Sequence, residues 1–117
     1  RFVASEESSA HINFKNEVLK TADGDTYLTL KELAPARLIK NKFFNDLQEI
    51  YAQNPSKEAL KEKLGRGRAK LGMFEGDLEE GELEIGQVAG LIHDIKPVAS
   101  IIEEIIQEFE TVKKSFC

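Results

Sequence analysis

Residues 65–90 read GRGRAKLGMFEGDLEEGELEIGQVAG and contain seven of the chain's eight glycines, whereas the 64 residues before them contain only Gly24. Glycine costs roughly 0.5–1 kcal/mol wherever it replaces a helix former, so this density is typical of backbone bends or close backbone approaches. The stretch is therefore expected to wrap around another object or to be wrapped by one.

The composition predicts one globular domain that binds neither nucleic acid nor membranes. The 117 residues are 41% hydrophobic, which supports a modest core. The formal net charge is -5 and the 16 lysines and arginines are scattered, so the sequence shows no electrostatic footprint for nucleic acid or anionic lipid. No apolar run approaches the roughly 20 residues that span a bilayer. Partners are expected to be proteins or small molecules.

The two ends of the sequence indicate its setting. The single cysteine, Cys117, is the last residue, so no internal disulfide and no paired-cysteine metal spacing exist. A reduced cytoplasmic setting is therefore expected. The first residues, RFVA, lack an initiator methionine and read like the end of a strand. They suggest a fragment of a longer protein.

The first third of the chain predicts a helix followed by a small hairpin. Acceptor side chains at residues 5–9 and apolar residues at a four-residue spacing predict a helix over residues 8–21. Residues 23–25 (DGD) then provide turn chemistry, and they lack the further ligands of a calcium loop. Residues 26–30 and 36–39 are two short candidate strands, the first rich in β-branched and aromatic side chains.

Two helices and a junction are predicted next. A helix over residues 43–51 places its large apolar side chains on one face: Phe43, Phe44, Leu47, Ile50 and Tyr51. The Asn-Pro pair at residues 54–55 predicts a second helix that ends at about residue 64, with Asn as the cap and Pro in the first position. The Gly-Arg repeat at residues 65–68 interrupts this helix before residues 69–74 resume it.

A final helix is predicted over residues 97–114, with Pro97 first and Lys113 and Lys114 near its C-terminal end. It carries a broad apolar stripe formed by Val98, Ile101, Ile102, Ile105, Phe109 and Val112. Its polar face is acidic, which disfavours binding to a membrane surface. This helix is expected to dock on a protein surface.

The Gly-Arg repeat allows two interpretations. Arg66 and Arg68 alternate with glycines, and exposed backbone N–H groups beside guanidinium groups suit phosphate. The stretch fits neither the dinucleotide pattern nor the P-loop pattern, since Lys70 stands where the third glycine belongs. A helix junction with solvated arginines is therefore favoured over an anion site.

Neither the histidines nor the acidic residues form a complete catalytic or metal set. His11 and His93 lack a second ligand at metal spacing, so surface or capping roles are favoured over general base catalysis. A dense acidic cluster consists of Glu75, Asp77, Glu79, Glu80, Glu82 and Glu84. Such a run is typical of a solvated face, and cation binding is the alternative.

A family resemblance is carried by both ends of the chain. Residues 76–81 (GDLEEG) and 86–95 (GQVAGLIHDI) resemble the C-terminal signature of the FMN-dependent nitronate monooxygenases, formerly called 2-nitropropane dioxygenases. The related flavin-containing enoyl-acyl carrier protein reductases share this signature. Residues 1–11 (RFVASEESSAH) resemble the stretch that follows the Gly-Thr pair in the last barrel strand of that family. The resemblance therefore covers nearly the whole chain.

The resemblance implies a fragment of a (β/α)8 TIM barrel that holds FMN at the C-terminal ends of its strands. The chain itself is expected to be mainly α, with a short N-terminal strand and a possible small β-hairpin. Its expected parts are the end of the last barrel strand, a helical insertion with the hairpin, a flavin-side glycine-rich loop with a short helix, and a C-terminal helix, at residues 1–5, 6–75, 76–95 and 96–117.

The resemblance also implies where the cofactor lies. Gly86 and Gln87 match the family's loop near the flavin, and residues just before Arg1 would help to hold the FMN phosphate. The family's proposed catalytic histidine lies in an upstream part of the barrel. We therefore expect no catalytic residue and no metal site in this chain.

The implied function is that of the C-terminal portion of an FMN-dependent oxidoreductase, specifically a nitronate monooxygenase that oxidises nitronates with dioxygen. Two alternatives stay open: an NAD(P)H-dependent enoyl-acyl carrier protein reductase on the same scaffold, and a non-enzymatic helical interaction module. Without the rest of a barrel, the apolar stripes over residues 43–51 and 98–112 are expected to pack on each other or on a partner chain. The isolated chain is expected to bind FMN weakly or not at all and to be inactive.

Overall fold

A computed structural model describes residues 1–116, and Cys117 lies outside the described residues. The chain is mainly helical and has one two-stranded sheet, as predicted. Its elements are a 3-10 helix (Phe2–Ala4), α1 (Ile12–Lys20), β1 (Thr26–Thr29), β2 (Ala36–Ile39), α2 (Lys42–Tyr51), α3 (Lys57–Leu64), α4 (Arg68–Met73), a second 3-10 helix (Gln87–Leu91) and α5 (Val98–Ser115). No helix within residues 1–116 is both long and apolar enough to cross a membrane.

The hairpin is confirmed. Strands β1 and β2 pair antiparallel, with Thr26 opposite Ile39 and Thr29 opposite Ala36. On its other edge β2 meets a short extended segment, because the Ile39 N–H donates to the Leu83 carbonyl at 2.9 Å. The hairpin is therefore paired with residues 83–84 of the glycine-rich stretch.

The predicted N-terminal strand is wrong. Residues Phe2–Ala4 form a 3-10 helix, in which the Ala4 N–H donates to the Arg1 carbonyl at 3.2 Å. Extended pairing is limited to one parallel bridge between Ser5 and Lys96. The described residues offer this segment no neighbouring strand, so its backbone groups bond locally instead.

Two helix starts differ from the sequence prediction because a different side chain provides the cap. Helix α1 begins at Ile12, not near Ser8, since His11 Nδ1 accepts from the Asn13 N–H at 3.0 Å. Helix α3 begins after Ser56, whose hydroxyl accepts from the Ala59 N–H at 3.2 Å, so the Asn-Pro start was wrong. Helix α5 begins one residue after the predicted position.

The buried side chains form two separate cores. The first joins the N-terminal segment, α1 and the second 3-10 helix, and its buried members are Ala4, Phe14, Val18, Ile39, Leu83, Ala89 and Ile92. The second joins the hairpin, α2 and α3, and its buried members are Leu30, Leu38, Phe43, Phe44, Leu47 and Leu60. The apolar stripe of α2 is thus covered within the chain, which corrects the expectation that it would need a partner or the last helix.

Helix α5 behaves differently from α2. Its buried residue is Ile101, at 1% exposure, whereas Phe109 is 62% exposed. Three other large side chains of the stripe are also exposed, Ile102, Ile105 and Val112, as is the neighbouring Ile106. Among the residues that the structure describes, the apolar face of α5 therefore has no cover beyond its first turn.

Candidate functional site

The glycine-rich stretch consists of two structurally different halves. In the first half, Gly72 of α4 and Gly81 face each other: a Cβ on Gly72 would lie 3.0 Å from the Gly81 Cα and 2.6 Å from Leu83 Cδ2. Real Cβ atoms essentially never come as close as the second of these distances. These glycines allow two backbones to pack directly together, so here the wrapped object is another part of the same chain.

Arg68 holds this first half together, which corrects the prediction that the arginines are solvated. Its guanidinium donates to the carbonyls of Leu64, Lys63 and Glu80 at 2.8, 3.0 and 2.7 Å. It also lies over the Phe43 ring, 4.4 Å from the centroid. Arg66, by contrast, is exposed as predicted. Three Arg68 donors are thus engaged by backbone carbonyls and are not available to an anion.

The acidic cluster is only in part a solvated face. Asp77 Oδ1 accepts from the N–H groups of Glu79 and Glu80 at 3.1 and 2.9 Å, so it organises the turn that leads to Gly81. Glu82 is buried, at 7% exposure. Burial, followed by the hydrogen bond and charge of Glu84, raises the pKa of Glu82 to about 7. The carboxyl of Glu82 is therefore partly protonated at neutral pH.

The second half of the stretch contains the predicted cofactor-side residues, Gly86 and Gln87. Both are exposed, and they begin the second 3-10 helix. A Cβ added to Gly86 would meet nothing within 4 Å, and its φ of -76° suits any residue. Neither the packing nor the backbone geometry of the described residues requires a glycine here. The space beside Gly86 is open to a group from outside the chain.

This loop combines hydrogen-bond donors with an open groove. The first N–H groups of a helical segment have no partner within it, and Gln87 and Val88, at the start of this one, are both exposed. A groove of about 310 Å³ runs along one side of Gly86 and is lined by Pro35, Ala36, Arg37, Glu84 and Ile85. A set of backbone and amide donors such as this one suits neutral acceptors, for example the carbonyls and nitrogens of a heterocyclic ring.

The N-terminal segment contacts the chain that follows this loop. The Arg1 guanidinium donates to Asp94 Oδ1 at 2.6 Å and to the Asp94 carbonyl at 2.9 Å. The Glu6 N–H donates to the Lys96 carbonyl at 3.0 Å. The N-terminal segment is therefore joined to residues 94–96, which follow the loop that contains Gly86.

The histidines do not form a catalytic set. His11 caps α1, and its ring lies against Gly76, where a Cβ on the glycine would be 2.7 Å from His11 Cγ. His93 is exposed on the segment after the second 3-10 helix. No group of three or more potential metal-ligating residues occurs within residues 1–116. Of the surface or capping roles predicted for the histidines, His11 has the capping role.

Sequence reasoning missed three of these side chains. The role of Arg68 depends on carbonyl groups of other segments. That of Glu7 depends on the distant Val98 N–H, which donates to its carboxylate oxygens at 3.0 and 3.1 Å, so no local pattern indicates either role. Glu82 gave no local signal of burial, since alternation in an extended segment would place it on the same side as the exposed Glu84, opposite Leu83.

Comparisons with known proteins agree on one family. A sequence profile described as "Nitronate monooxygenase" matches residues 1–108. The chain is similar to FabK from Thermotoga maritima, with 42% identity and a TM-score of 0.84 over 97% of this chain and 36% of that one. A mutant of that FabK gives 40% identity and a TM-score of 0.77, over 97% of this chain and 34% of the mutant chain. The chain thus spans about a third of the solved structures it matches. No curated protein matches it significantly.

Proposed function

Because the chain belongs to the nitronate monooxygenase family, we propose that it forms the C-terminal part of an FMN-dependent oxidoreductase built on a (β/α)8 barrel. The observation that carries this proposal is the family match over residues 1–108, supported by 42% identity to FabK at a TM-score of 0.84. Below, "the complete protein" means this chain together with the barrel residues that the proposal requires.

The exposed face of α5 supports the proposal. Ile105 and Phe109 are 48% and 62% exposed, and burying such side chains contributes roughly 1.5–3 kcal/mol each. The chain spans 36% of the FabK structure, so the complete protein would contain further barrel residues. We propose that these residues cover the apolar face of α5. The remainder of the barrel is therefore the partner we propose for this surface.

The role proposed for Gly86 and Gln87 is to form one wall of the flavin site. A bound FMN would supply the redox chemistry, taking electrons from the substrate and passing them to the second substrate. The backbone N–H of Gln87 and its side-chain amide would orient the ring by donating to its acceptors. The open space at Gly86 would allow the ring to approach the backbone closely. The chain itself contributes position and not a proton-transferring group.

Two reactions suit this scaffold. The first is oxidation of a nitronate with dioxygen, which is favoured by the description of the matching family profile. The second is reduction of an enoyl-acyl carrier protein with NAD(P)H, which is favoured by the similarity to FabK. The two reactions differ in their electron donor, so substrate-dependent assays can separate them.

The test uses the complete protein loaded with FMN. Dioxygen consumption that depends on an alkyl nitronate would support the monooxygenase, whereas oxidation of reduced nicotinamide that depends on an enoyl thioester would support the reductase. A complete protein that binds no flavin would contradict the proposal. The 117-residue chain is the control: we propose that it retains no stoichiometric flavin absorbance. Cooperative monomeric melting of that chain, with no flavin bound by either form, would favour a helical interaction module instead.

A further inference from the structure

The first turn of α5 is capped by a side chain from the other end of the sequence. Pro97 stands at the N-cap position and makes no side-chain hydrogen bond there. The Val98 N–H donates instead to both carboxylate oxygens of Glu7, at 3.0 and 3.1 Å. A carboxylate at a helix N-terminus satisfies a free donor and also complements the helix dipole.

This cap is the last of a series of contacts along one short segment. Arg1 binds Asp94, the Glu6 N–H donates to the Lys96 carbonyl at 3.0 Å, and Glu7 accepts from Val98. The contacts therefore follow the segment from its start at Asp94 to the first residue of α5. Residues 1–7 therefore contact the chain from Asp94 to the start of α5 at three points.

The N-terminal segment also shares a core with residues near the start of the loop at Gly86. Ala4, at 0% exposure, belongs to the first core together with Ala89 and Ile92. Ala89 lies in the second 3-10 helix, which begins directly after Gly86. Residues 1–7 thus reach both ends of residues 86–98: Ala4 shares the first core with Ala89, together with Phe14 and Val18 of α1, and Glu7 accepts from the Val98 N–H.

We infer that Glu7 is a positioning residue for the flavin site: it couples the N-terminal segment to the loop at Gly86 and Gln87, and so supports FMN binding. It acts through the loop, because its carboxylate is engaged by the Val98 N–H. This inference rests on the proposed function, since it assigns a role at the same site.

The test compares substitutions of two neighbouring glutamates in the complete protein. Glu7→Ala removes the cap, Glu7→Gln keeps an acceptor oxygen without the charge, and Glu6→Ala is the control. The side chain of Glu6 is exposed and forms no hydrogen bond or ion pair with the described residues. Two readouts are needed: the FMN dissociation constant from flavin fluorescence, and hydrogen exchange of the amides in the first turn of α5.

We expect Glu7→Ala to speed exchange at Val98 and to raise the FMN dissociation constant about fivefold, in line with the loss of one helix cap. Glu7→Gln should give a smaller increase, and Glu6→Ala should leave both readouts unchanged. Faster exchange in Glu7→Ala with an unchanged dissociation constant would show a purely local cap and overturn the inference, while leaving the proposed function intact. Absence of FMN binding in the unsubstituted complete protein would instead overturn both. If Glu7→Ala fails to fold, Glu7→Gln is the deciding variant. Faster exchange at Val98 with a raised FMN dissociation constant would support the inference, and faster exchange with an unchanged constant would overturn it.

Discussion

The backbones of Gly72 and Gly81 pack against each other, so that a Cβ on Gly72 would lie 3.0 Å from the Gly81 Cα. A methyl group on Gly81 would meet the Gly72 backbone and the Asp77 carbonyl oxygen, neither of which is the end of a flexible side chain. Gly81→Ala should therefore lower the free energy of unfolding by about 2–3 kcal/mol, as overpacking does elsewhere. Urea denaturation measures this. Gly86→Ala is the control, and equal stability of the two variants would contradict the prediction.

A second prediction concerns Arg68. Its three hydrogen bonds join the end of α3 to the turn before Gly81, and a lysine cannot reproduce this fork with a single ammonium group. Arg68→Lys should therefore reduce the free energy of unfolding by about 2–3 kcal/mol, because partly buried carbonyls lose charged donors. Arg66→Lys, at an exposed position, should change it by less than about 0.5 kcal/mol. Indistinguishable denaturation midpoints for the two variants would show that Arg68 is not a structural link.

A third prediction concerns pH. The pKa of Glu82 is raised from 4.5 to about 7, so the folded state binds this proton more tightly than the unfolded state. Its contribution to stability is present below pH 4.5 and is lost as the pH rises through about 7. Between about pH 5 and pH 8, the unfolding free energy of the natural chain should fall by about 1–3 kcal/mol more than that of Glu82→Gln.

The control for this pH experiment is Glu79→Gln, because Glu79 is exposed and lies in the same acidic cluster. Its unfolding free energy should follow that of the natural chain at every pH. Parallel curves for Glu82→Gln and the natural chain would show that burial of Glu82 is not coupled to its ionisation.

A fourth prediction concerns the exposed face of α5. In the 117-residue chain, Ile105→Lys combined with Phe109→Lys should reduce self-association, since both side chains are about half exposed or more. In the complete protein the same pair should destabilise by at least about 3 kcal/mol, because two charges would then be buried against the barrel. Sedimentation velocity and thermal melting measure the two effects. The control pair is Glu103→Gln with Glu110→Gln, which should change neither.

The parts of the fold that the sequence predicts are those with local signals. The β1–β2 hairpin follows from its β-rich runs, and α2 follows from apolar residues at helical spacing. The predicted starts of α1 and α3 were wrong because several residues near each start can act as caps. Tertiary contacts decide between them: His11 is fixed where its backbone N–H donates to the Met73 carbonyl at 2.7 Å.

The candidate site could be predicted less well than the fold, for a physical reason. The importance of Gly86 came from a family resemblance, since no contact within the described residues requires a glycine there. Arg68 and Glu7 act on backbone groups of other segments, and Glu82 becomes buried when β2 pairs with the segment that follows it. Such roles depend on the assembled fold, and a single sequence does not display them.

The final prediction separates the two halves of the glycine-rich stretch by function. Gly86 has open space around its Cβ position and a φ of -76°, so Gly86→Ala should keep or slightly raise the free energy of unfolding, by up to about 1 kcal/mol. In the complete protein, however, the added methyl group would stand where the flavin ring is proposed to approach the backbone. FMN affinity should then fall by about tenfold, the equivalent of 1.4 kcal/mol, measured by flavin fluorescence against a protein of equal thermal stability. If the alanine variant keeps both its stability and its FMN affinity, Gly86 is not part of the flavin site. If its stability is reduced, the open space at Gly86 is filled by another part of the complete protein.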